Sequence, residues 1–299
     1  MGPRRMPAAE VDVSPDLVRR LLTAQHPDLA DLPIKVMANG WDNVMCRLGD
    51  DLIVRLPRRE AAAQLLVHEQ TWLPVLQPRL TLPIPAPVRI GQPGLGYPWA
   101  WSIVPLLPGE VAAQNPPDDM HDTAIRLAEF LGVLHVPAPP DAPRNPFRGI
   151  PLTDRRATLI DSLDVLAGLV DRSAVLDAWE DAISAPTSDT LPVWLHGDLH
   201  PANILVHDGR ISAVIDFGDI TAGDPATDLS VAWMMLPAQQ HDAFQDAYRA
   251  AAPDAADDED RWRRARGWAL ALAIAFLAHS ADNAQLAEIG YRTLLAVLT

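Results

Sequence analysis

Short apolar runs typical of strands prevail in the first third of the chain, and apolar residues at helical spacing prevail in the rest. Short apolar, β-branched runs bounded by turn residues predict strands at residues 34–37, 43–48, 52–56, 88–90 and 99–104. Apolar residues at helical spacing predict one long helix among them, over residues 60–76, and helical spacing prevails beyond residue 120. The pattern therefore predicts an α+β protein, with an antiparallel sheet plus helix in the N-terminal part and a mostly helical C-terminal part.

The predicted helices begin at residues that favour helix starts. Ser14 followed by Pro15 starts one that runs to about residue 24. Further helices are predicted in the C-terminal part at residues 120–135, 154–184 (as one or two), 225–236, 238–252, 255–280 and 282–298. Residues 136–153 are rich in proline, which predicts an irregular surface loop.

Three polar residues frame two apolar runs near residue 200. Asp198 and Asn203 precede the run 204–206, and Asp216 follows the run 211–215. The Asp-Gly turn between the runs predicts a β-hairpin, and a hairpin brings the start of its first strand close to the end of its second. The oxygen atoms of the three side chains would then converge on one small volume. Such hard ligands suit Mg²⁺ and do not suit a soft metal.

The spacing of these residues matches that of a protein kinase catalytic loop and its Asp-Phe-Gly motif. Asp198 and Asn203 are five residues apart, Asp216 begins an Asp-Phe-Gly, and His-Gly-Asp stands where a protein kinase has His-Arg-Asp. With Gly-Asp-Pro at residues 223–225 and the following Asp228, the segment resembles the aminoglycoside phosphotransferase family. That family is a small-molecule branch of the kinase-like fold. The resemblance implies a bilobal protein-kinase-like fold, with a nucleotide-binding lobe over residues 1–106 and a catalytic and acceptor-binding lobe over residues 107–299.

The resemblance implies distinct roles for the polar residues of the C-terminal part. Asp198 is expected to accept or orient the proton of a substrate hydroxyl, and Asn203 and Asp216 are expected to hold Mg²⁺. Structural support for the loop is expected from His196, His200 and Asp228. Carboxylates that could line an acceptor cleft, or could equally be surface groups or helix caps, are Asp219, Asp224, Asp282 and Glu288.

The N-terminal part carries the residues that the resemblance assigns to the nucleotide phosphates. Arg55 lies on the third predicted strand, where a kinase has a lysine that grips the α- and β-phosphates, and Glu69 is expected to orient it. Arginine keeps the charge but differs from lysine in reach and geometry. Macrolide-modifying members of the superfamily have a similar Arg-apolar-Pro-Arg run.

Two backbone segments are also assigned to the nucleotide by resemblance. The turn after the first strand resembles the family's phosphate loop, although it has one glycine and by itself reads as an ordinary hairpin turn. Backbone amides are expected from Asn39, Gly40, Trp41, Asp42 and Asn43. Residues 105–110 resemble the hinge between lobes, and the strip expected to bind the purine edge is Ile103, Val104, Pro105 and Leu106. A hinge binds either purine through backbone groups, so ATP and GTP remain equal candidates.

The composition of the chain restricts its expected binding partners and its expected cellular compartment. The 299-residue chain has a formal net charge of −15, which disfavours nucleic acid as a partner and would attract a cationic substrate, although acidity also serves solubility alone. A single cysteine, Cys46, excludes an intramolecular disulfide and fits a reducing compartment. The longest apolar run is too short to span a bilayer, and the first ten residues lack a signal-peptide core. A cytoplasmic protein with no membrane partner is expected.

These observations together predict a phosphotransferase acting on small molecules. The expected reaction moves the γ-phosphate of ATP or GTP, with Mg²⁺, to a hydroxyl of an aminoglycoside-type antibiotic. One alternative is a kinase of a macrolide, an amino alcohol or a sugar, and an aromatic or apolar acceptor pocket would favour the macrolide. Another alternative is a catalytically silent relative that binds nucleotide without turnover.

Overall fold

The computed structural model describes residues 8–39, 42–187, 191–252 and 258–299. Two compact units make up the chain. The described residues of the sheet unit fall in Met6–Arg79 and Pro83–Pro108, and those of the helical unit fall in Leu80–Leu82 and Gly109–Thr299. Among the described residues, no helix combines the length and the apolar character that crossing a membrane requires.

The sheet unit is built on one five-stranded antiparallel sheet of order β1-β2-β3-β5-β4. Its elements are α1 (Pro15–Gln25), β1 (Ile34–Asn39), β2 (Asn43–Leu48), β3 (Leu52–Pro57), α2 (Glu60–Leu76), β4 (Arg89–Gly91) and β5 (Trp101–Pro105). Ser14 caps α1 by accepting a hydrogen bond from the Leu17 amide at 3.3 Å. The predicted helix α2 and the strands of the sheet are therefore present, with β4 and β5 starting one and two residues later than predicted.

The two faces of β3 differ in what covers them. Val54 and Leu56 join a buried apolar cluster with Leu21 of α1. Arg55 lies between them and therefore points to the opposite face, because successive side chains of a strand alternate. Helix α2 approaches β3 and buries a stripe of residues at helical spacing: Ala62, Leu66, Glu69, Leu73 and Leu76.

The described residues of the helical unit form eight α-helices, several short 3-10 turns, and strands in two small sheets. Its helices are α3 (Met120–Leu134), α4 (Arg156–Val165), α5 (Arg172–Ile183), α6 (Ala226–Leu229), α7 (Val231–Met235), α8 (His241–Ala251), α9 (Asp260–His279) and α10 (Ala284–Leu298). Its strands are β6 (Glu110–Val111), β7 (Val193–Leu195), β8 (Ile204–His207), β9 (Arg210–Val214) and β10 (Thr221–Gly223). Helix α9 is the centre of this unit, since it packs against α4, α5, α6 and α10 and buries Trp268 and Ile274 completely.

The predicted hairpin after residue 203 is confirmed as β8–β9. Its turn residues Asp208 and Gly209 have φ values of 50° and 74°, the left-handed pair that a two-residue hairpin turn requires. The helix predicted over residues 225–236 is instead two short helices, α6 and α7. They meet at Ser230, whose hydroxyl donates to the Thr227 carbonyl at 2.6 Å in a tightened turn.

Residues 136–151 contain no helix or strand, as predicted for the proline-rich segment 136–153, and part of them packs against β10. Residues 143–149, called the 143–149 loop below, are fastened to β10. The Thr221 hydroxyl accepts a hydrogen bond from the Asn145 amide at 2.9 Å and donates one to the Pro143 carbonyl at 3.0 Å. A Cβ on Gly223 would collide with the backbone of Gly149, so the close approach of the two chains requires glycine there.

Candidate active site

The 196–203 loop connects β7 to β8 in the helical unit and is held by a buried carboxylate. Asp228, fully buried at the start of the α6 segment, accepts hydrogen bonds from the amides of His196 at 2.7 Å and Gly197 at 2.9 Å. Nε2 of His135 lies 3.3 Å from the same carboxylate. Gly197 has φ of 88°, and a Cβ there would collide with the carbonyl of Asp219. The loop therefore has one backbone path, and that path presents Asp198.

The two histidines of the loop are fixed in their tautomers by backbone contacts. Nδ1 of His196 accepts from the Asp198 amide at 3.2 Å, and its Nε2 donates to the Ile215 carbonyl at 2.9 Å. Nδ1 of His200 accepts from the Ala202 amide at 3.2 Å, which leaves the proton of the neutral ring on Nε2. That atom lies 3.5 Å from the Asp198 carboxylate. Both rings thus help to set the conformation of the loop around Asp198.

Asn203 and Asp216 lie next to each other at the base of the hairpin. The Asn203 side-chain amide donates to the Asp198 carbonyl at 2.9 Å, and the Ile215 amide donates to the Asn203 carbonyl at 2.9 Å. Asp216 is exposed, has φ of 65°, and its carboxylate accepts no hydrogen bond from any described residue. The Asn203 side-chain oxygen likewise accepts none from the described part of the chain.

These two oxygen donors fit a Mg²⁺ ion. Mg²⁺ binds proteins through one or two oxygens and takes its remaining ligands from phosphates and water. Asn203 and Asp216 supply such a pair, and neither oxygen is committed elsewhere in the described residues. Within that same part of the chain, no group of three or more histidine, cysteine or acidic side chains could hold a metal on its own. Two protein oxygens would leave the remaining coordination positions of such an ion to a phosphorylated ligand and water.

Both oxygens of the Asp198 carboxylate have a neighbour. Nη2 of Arg148 donates to Oδ1 at 2.8 Å, and Nε2 of His200 lies 3.5 Å from Oδ2. Burial alone would raise the pKa of Asp198, but the charge of Arg148 and the contact with His200 outweigh it and hold the pKa well below its usual range. Asp198 is therefore an ionised, half-buried carboxylate.

Arg148 is a site residue that the sequence analysis missed. It belongs to the 143–149 loop, fifty residues before Asp198, in a segment with no periodicity. The only signal in the sequence is three polar residues, Arg144, Asn145 and Arg148, in a segment with two prolines and a glycine. That signal does not indicate what the loop contacts, and only the tertiary structure does.

The four carboxylates considered for an acceptor cleft have different surroundings. Asp219 lies near Asp198 and accepts from the Asn145 side chain at 2.5 Å; burial, and then the charge of Asp198, raise its pKa. Asp224 forms an ion pair with Arg264 at 2.6 Å and accepts a hydrogen bond from the Ala226 amide at 3.0 Å. The remaining two, Asp282 and Glu288, are exposed. The structure thus brings Asp219 to the 196–203 loop and commits Asp224 to an arginine.

The helical unit also has an apolar cavity beside the 196–203 loop. Its volume is about 340 Å³. Apart from Arg292 its lining residues are apolar, and they include Pro201, Trp233, Met234, Leu236 and Ile289.

In the sheet unit, Arg55 and Glu69 form a two-point ion pair. Nη1 of Arg55 contacts Oε2 of Glu69, and Nη2 donates to Oε1 at 3.0 Å. Both side chains are buried between β3 and α2. Parallel hydrogen bonds of this kind fix the plane of a guanidinium.

The backbone segments assigned to the nucleotide are only partly described. Gly40 and Trp41 lie outside the described residues, as does the side chain of Asn39, whose backbone pairs with Val44. Asp42 forms an ion pair with Arg59 at 2.6 Å, and Oδ1 of Asn43 is buried without a hydrogen-bond partner among the described residues.

The strip considered for the purine edge lies at the end of β5. Ile103, Val104 and Pro105 pair with β3, and the Leu106 amide donates to the Asp51 carbonyl at 2.7 Å. That amide is therefore already engaged within the sheet unit.

Comparison with known proteins identifies the family and the fold. A family model described as the phosphotransferase enzyme family, APH, matches residues 33–268. A search of curated protein sequences finds no match.

Three solved structures illustrate the likeness. The GDP complex of wild-type aminoglycoside 2'-phosphotransferase-IIIa is 19% identical, with 94% of this chain and 97% of that chain covered and a TM-score of 0.64. Macrolide 2'-phosphotransferase MphH from Brachybacterium faecium, as apoenzyme, is 22% identical, with 93% and 97% covered and a TM-score of 0.60. The streptomycin–ATP ternary complex of APH(2")-IIa is 17% identical, with 95% and 97% covered and a TM-score of 0.61.

These structures confirm the predicted α+β, protein-kinase-like fold, with an antiparallel N-terminal sheet and a helical C-terminal part. The family model covers well over half of the 299 residues. The chain therefore belongs to the phosphotransferase enzyme family.

Proposed function

We propose that this protein transfers the γ-phosphate of ATP or GTP to a hydroxyl group of a small molecule, with an aminoglycoside as the first candidate acceptor. The observation that carries the proposal is the arrangement in the helical unit of Asp198, Asn203 and Asp216. A half-buried ionised carboxylate lies on the same loop as one of two hard oxygen donors that have no partner among the described residues. A metal–nucleotide complex and a hydroxyl acceptor need such a set of groups.

Asp198 serves the acceptor in this mechanism. The substrate hydroxyl donates a hydrogen bond to the carboxylate, and its oxygen attacks the γ-phosphorus in line. The bond from that phosphorus to the β–γ bridging oxygen breaks, the nucleoside diphosphate leaves, and the hydroxyl proton passes to Asp198. A carboxylate of low pKa is a weak base, so its main contribution is to orient the hydroxyl, which suits a loose transition state that needs little proton removal.

The nucleotide is assigned to candidate residues of each unit. Mg²⁺, when bound, would be held by Asn203 and Asp216 and would neutralise charge on the β- and γ-phosphates. Arg55 is assigned to the α- and β-phosphates, with its guanidinium plane set by Glu69. We assign residues 1–106 to nucleotide binding and residues 107–299 to catalysis and acceptor binding. The GDP and streptomycin–ATP complexes of the structural neighbours support a purine nucleotide as the donor.

The charge of the chain supports an aminoglycoside as acceptor. Aminoglycosides carry several ammonium groups, the chain has a net charge of −15, and one structural neighbour was solved with streptomycin. Asp219, Asp282 and Glu288 remain candidates for binding those groups. Asp224 is a weaker candidate because Arg264 already neutralises it.

The apolar cavity favours a macrolide as the second candidate. It is lined by Pro201, three residues after Asp198 in the same loop, and by Trp233, Met234 and Ile289. A large, mostly apolar acceptor with one charged group would bury surface there, whereas a polycation would gain nothing from such a lining.

A nucleotide-turnover assay with Mg²⁺ tests the proposal. ATP and GTP are each run against a panel of aminoglycosides, macrolides and small amino alcohols. Turnover that depends on an acceptor of one class supports the transferase and identifies that class. Tight nucleotide binding without turnover on any acceptor supports the catalytically silent relative instead, and failure to bind either nucleotide contradicts both.

A further inference from the structure

The carboxylate assigned to the acceptor hydroxyl is held by an arginine of the same unit. Nη2 of Arg148 lies 2.8 Å from Oδ1 of Asp198, and His200 lies on the Oδ2 side at 3.5 Å. The side chains of Arg148 and Asp198 are 16% and 24% exposed. The pair is therefore partly buried, and the Asp198 carboxylate remains accessible to a ligand.

The position of Arg148 is determined by anchors on both sides of it. Asn145 donates to Asp219 at 2.5 Å through its side chain and to Thr221 at 2.9 Å through its backbone. Gly149 lies against the backbone of Gly223. A residue between two such anchors has little freedom, so its contact with Asp198 is a property of the fold.

The charges around the 196–203 loop indicate what the contact between Arg148 and Asp198 does. The charges of Asp198 and Asp216 both act on Asp219, and the positive charge of Arg148 acts on both Asp198 and Asp219. An isolated carboxylate beside the transferring phosphoryl group would repel its anionic oxygens. A guanidinium bound to that carboxylate offsets the repulsion and at the same time fixes the direction of its free lone pairs.

We propose that Arg148 is a positioning residue for phosphoryl transfer, which holds the Asp198 carboxylate in its productive orientation and cancels its charge toward the nucleotide phosphates. The inference rests on the proposed function. It requires that Arg148 act through Asp198, so that its contribution disappears when Asp198 is absent. A merely structural arginine would contribute equally with or without that carboxylate.

A double-mutant cycle on turnover tests this requirement. The four proteins are wild type, Arg148→Gln, Asp198→Ala and the double variant, measured with Mg²⁺-ATP and the acceptor of highest turnover in the panel. Arg148→Gln is expected to lower kcat by roughly 10- to 100-fold, since small misplacements of a catalytic group have effects of that size. The nucleotide KM should change by less than about threefold, and the double variant should have the kcat of Asp198→Ala within about twofold.

Two further variants separate charge from position. Arg144→Gln removes the same charge from an exposed residue of the same loop and is expected to leave kcat unchanged. Arg148→Lys keeps the charge without the fork of donors and should recover part of the activity. If Arg148→Gln does not fold, Asn145→Ala replaces it in the cycle: it removes one anchor of the loop and should lower kcat with Asp198 present and not with Asp198 absent.

The outcomes distinguish the inference from the proposed function. A wild-type kcat in Arg148→Gln, together with an inactive Asp198→Ala, overturns the inference alone. An equal fall of kcat in both backgrounds also overturns it, because Arg148 would then act independently of Asp198. Wild-type turnover in Asp198→Ala contradicts the proposed function and the inference together.

Discussion

The Arg55–Glu69 pair of the sheet unit and the Arg148–Asp198 pair of the helical unit differ in exposure and in support. Arg55 and Glu69 are buried between a strand and a helix of the sheet unit and meet through two hydrogen bonds. Arg148 and Asp198 lie on two loops of the helical unit, meet through one hydrogen bond, and remain partly exposed. The first pair is fixed by regular secondary structure, whereas the second is fixed by loop anchors.

The difference indicates what each pair is suited to do. A buried two-point pair fixes a guanidinium plane and contributes to stability only while both partners are present. A partly exposed pair with a single hydrogen bond leaves carboxylate lone pairs available to a ligand. We therefore expect that breaking the sheet-unit pair changes stability most and that breaking the helical-unit pair changes turnover most.

The largest expected effect is that of Asp198→Ala on turnover. Removing the group that orients the acceptor hydroxyl should lower kcat by about 10²- to 10⁴-fold. Folding and nucleotide affinity should change little, because Asp198 is partly exposed and lies on the acceptor side of the reaction in this mechanism. Steady-state kinetics and nucleotide titration measure the two quantities, and a loss of nucleotide affinity as large as the loss of kcat would contradict the assigned role.

Glu69→Ala should have the largest effect on stability. It leaves the buried Arg55 guanidinium without its carboxylate, which typically costs about 3–5 kcal/mol. Urea unfolding measures the loss, and Glu60→Ala, in an exposed position at the start of the same helix, is the control that should change stability by less than about 1 kcal/mol.

The rate at which a reagent labels the Cys46 thiol shows whether the loss of stability lies in the sheet unit. Cys46 is fully buried, and burial raises its pKa, so a thiol reagent should label it only when the unit opens. Faster labelling in Glu69→Ala than in Glu60→Ala is expected. Equal labelling rates would show that the ion pair does not hold the sheet unit closed.

Gly197→Ala should have an intermediate effect, on both stability and turnover. The residue has φ of 88°, and an added Cβ would collide with the Asp219 backbone, so we expect a loss of about 2–3 kcal/mol and displacement of Asp198. Gly168→Ala is the matched control in the same unit, because Gly168 has φ of 77° with nothing near its Cβ position. That variant should cost only about 1 kcal/mol and leave kcat unchanged. Equal losses for both variants would mean that the loop tolerates the collision by shifting.

The smallest expected effect is a pH dependence of stability that originates at Asp198. Its pKa in the folded protein lies below the unfolded value of about 3.9, because Arg148 and His200 outweigh the effect of burial. Stability from the ionised carboxylate is therefore fully present above about pH 4 and is lost as the pH falls through the lower folded-state pKa.

The measurement compares urea unfolding of wild type and Asp198→Asn between neutral and acid pH. The difference should be about 1–2 kcal/mol near neutrality and should shrink only in acid. Asp216 is present in both proteins. Asp198→Asn also removes the charge that raises the pKa of Asp219 in the folded protein, which makes the difference near neutrality smaller. A difference that grows as the pH falls would contradict the direction of the pKa shift.

Local patterns in the sequence predict most of the helices and strands. Helix α2 has the predicted bounds, because its buried stripe runs from Ala62 to Leu76 and the residue before the helix, Arg59, is extended. The β8–β9 hairpin follows from Asp208 and Gly209, which accept left-handed backbone angles. The break between α6 and α7 was not predicted, since it depends on a side-chain hydrogen bond of Ser230 inside an apolar helical pattern.

The candidate site was predictable to the extent that its residues are close in sequence or lie on regular elements. Asp198, Asn203 and Asp216 share one loop and one hairpin, and Glu69 stands out as a carboxylate in a buried helical stripe. Arg148 could not be found this way. Its segment has neither period nor motif, and its contact with Asp198 arises from hydrogen bonds to β10 and Asp219 that no local pattern encodes.

The most direct test of the central claim is the identity of the product. Mass spectrometry of the acceptor after incubation with Mg²⁺ and ATP or GTP distinguishes transfer to a hydroxyl from simple nucleotide hydrolysis. We predict an acceptor that has gained one phosphate with wild-type protein and with Gly168→Ala, and formation of that product at least about 100-fold slower with Asp198→Ala. Nucleoside diphosphate formed without any phosphorylated acceptor across the panel, or equal phosphorylation by Asp198→Ala, would contradict the account.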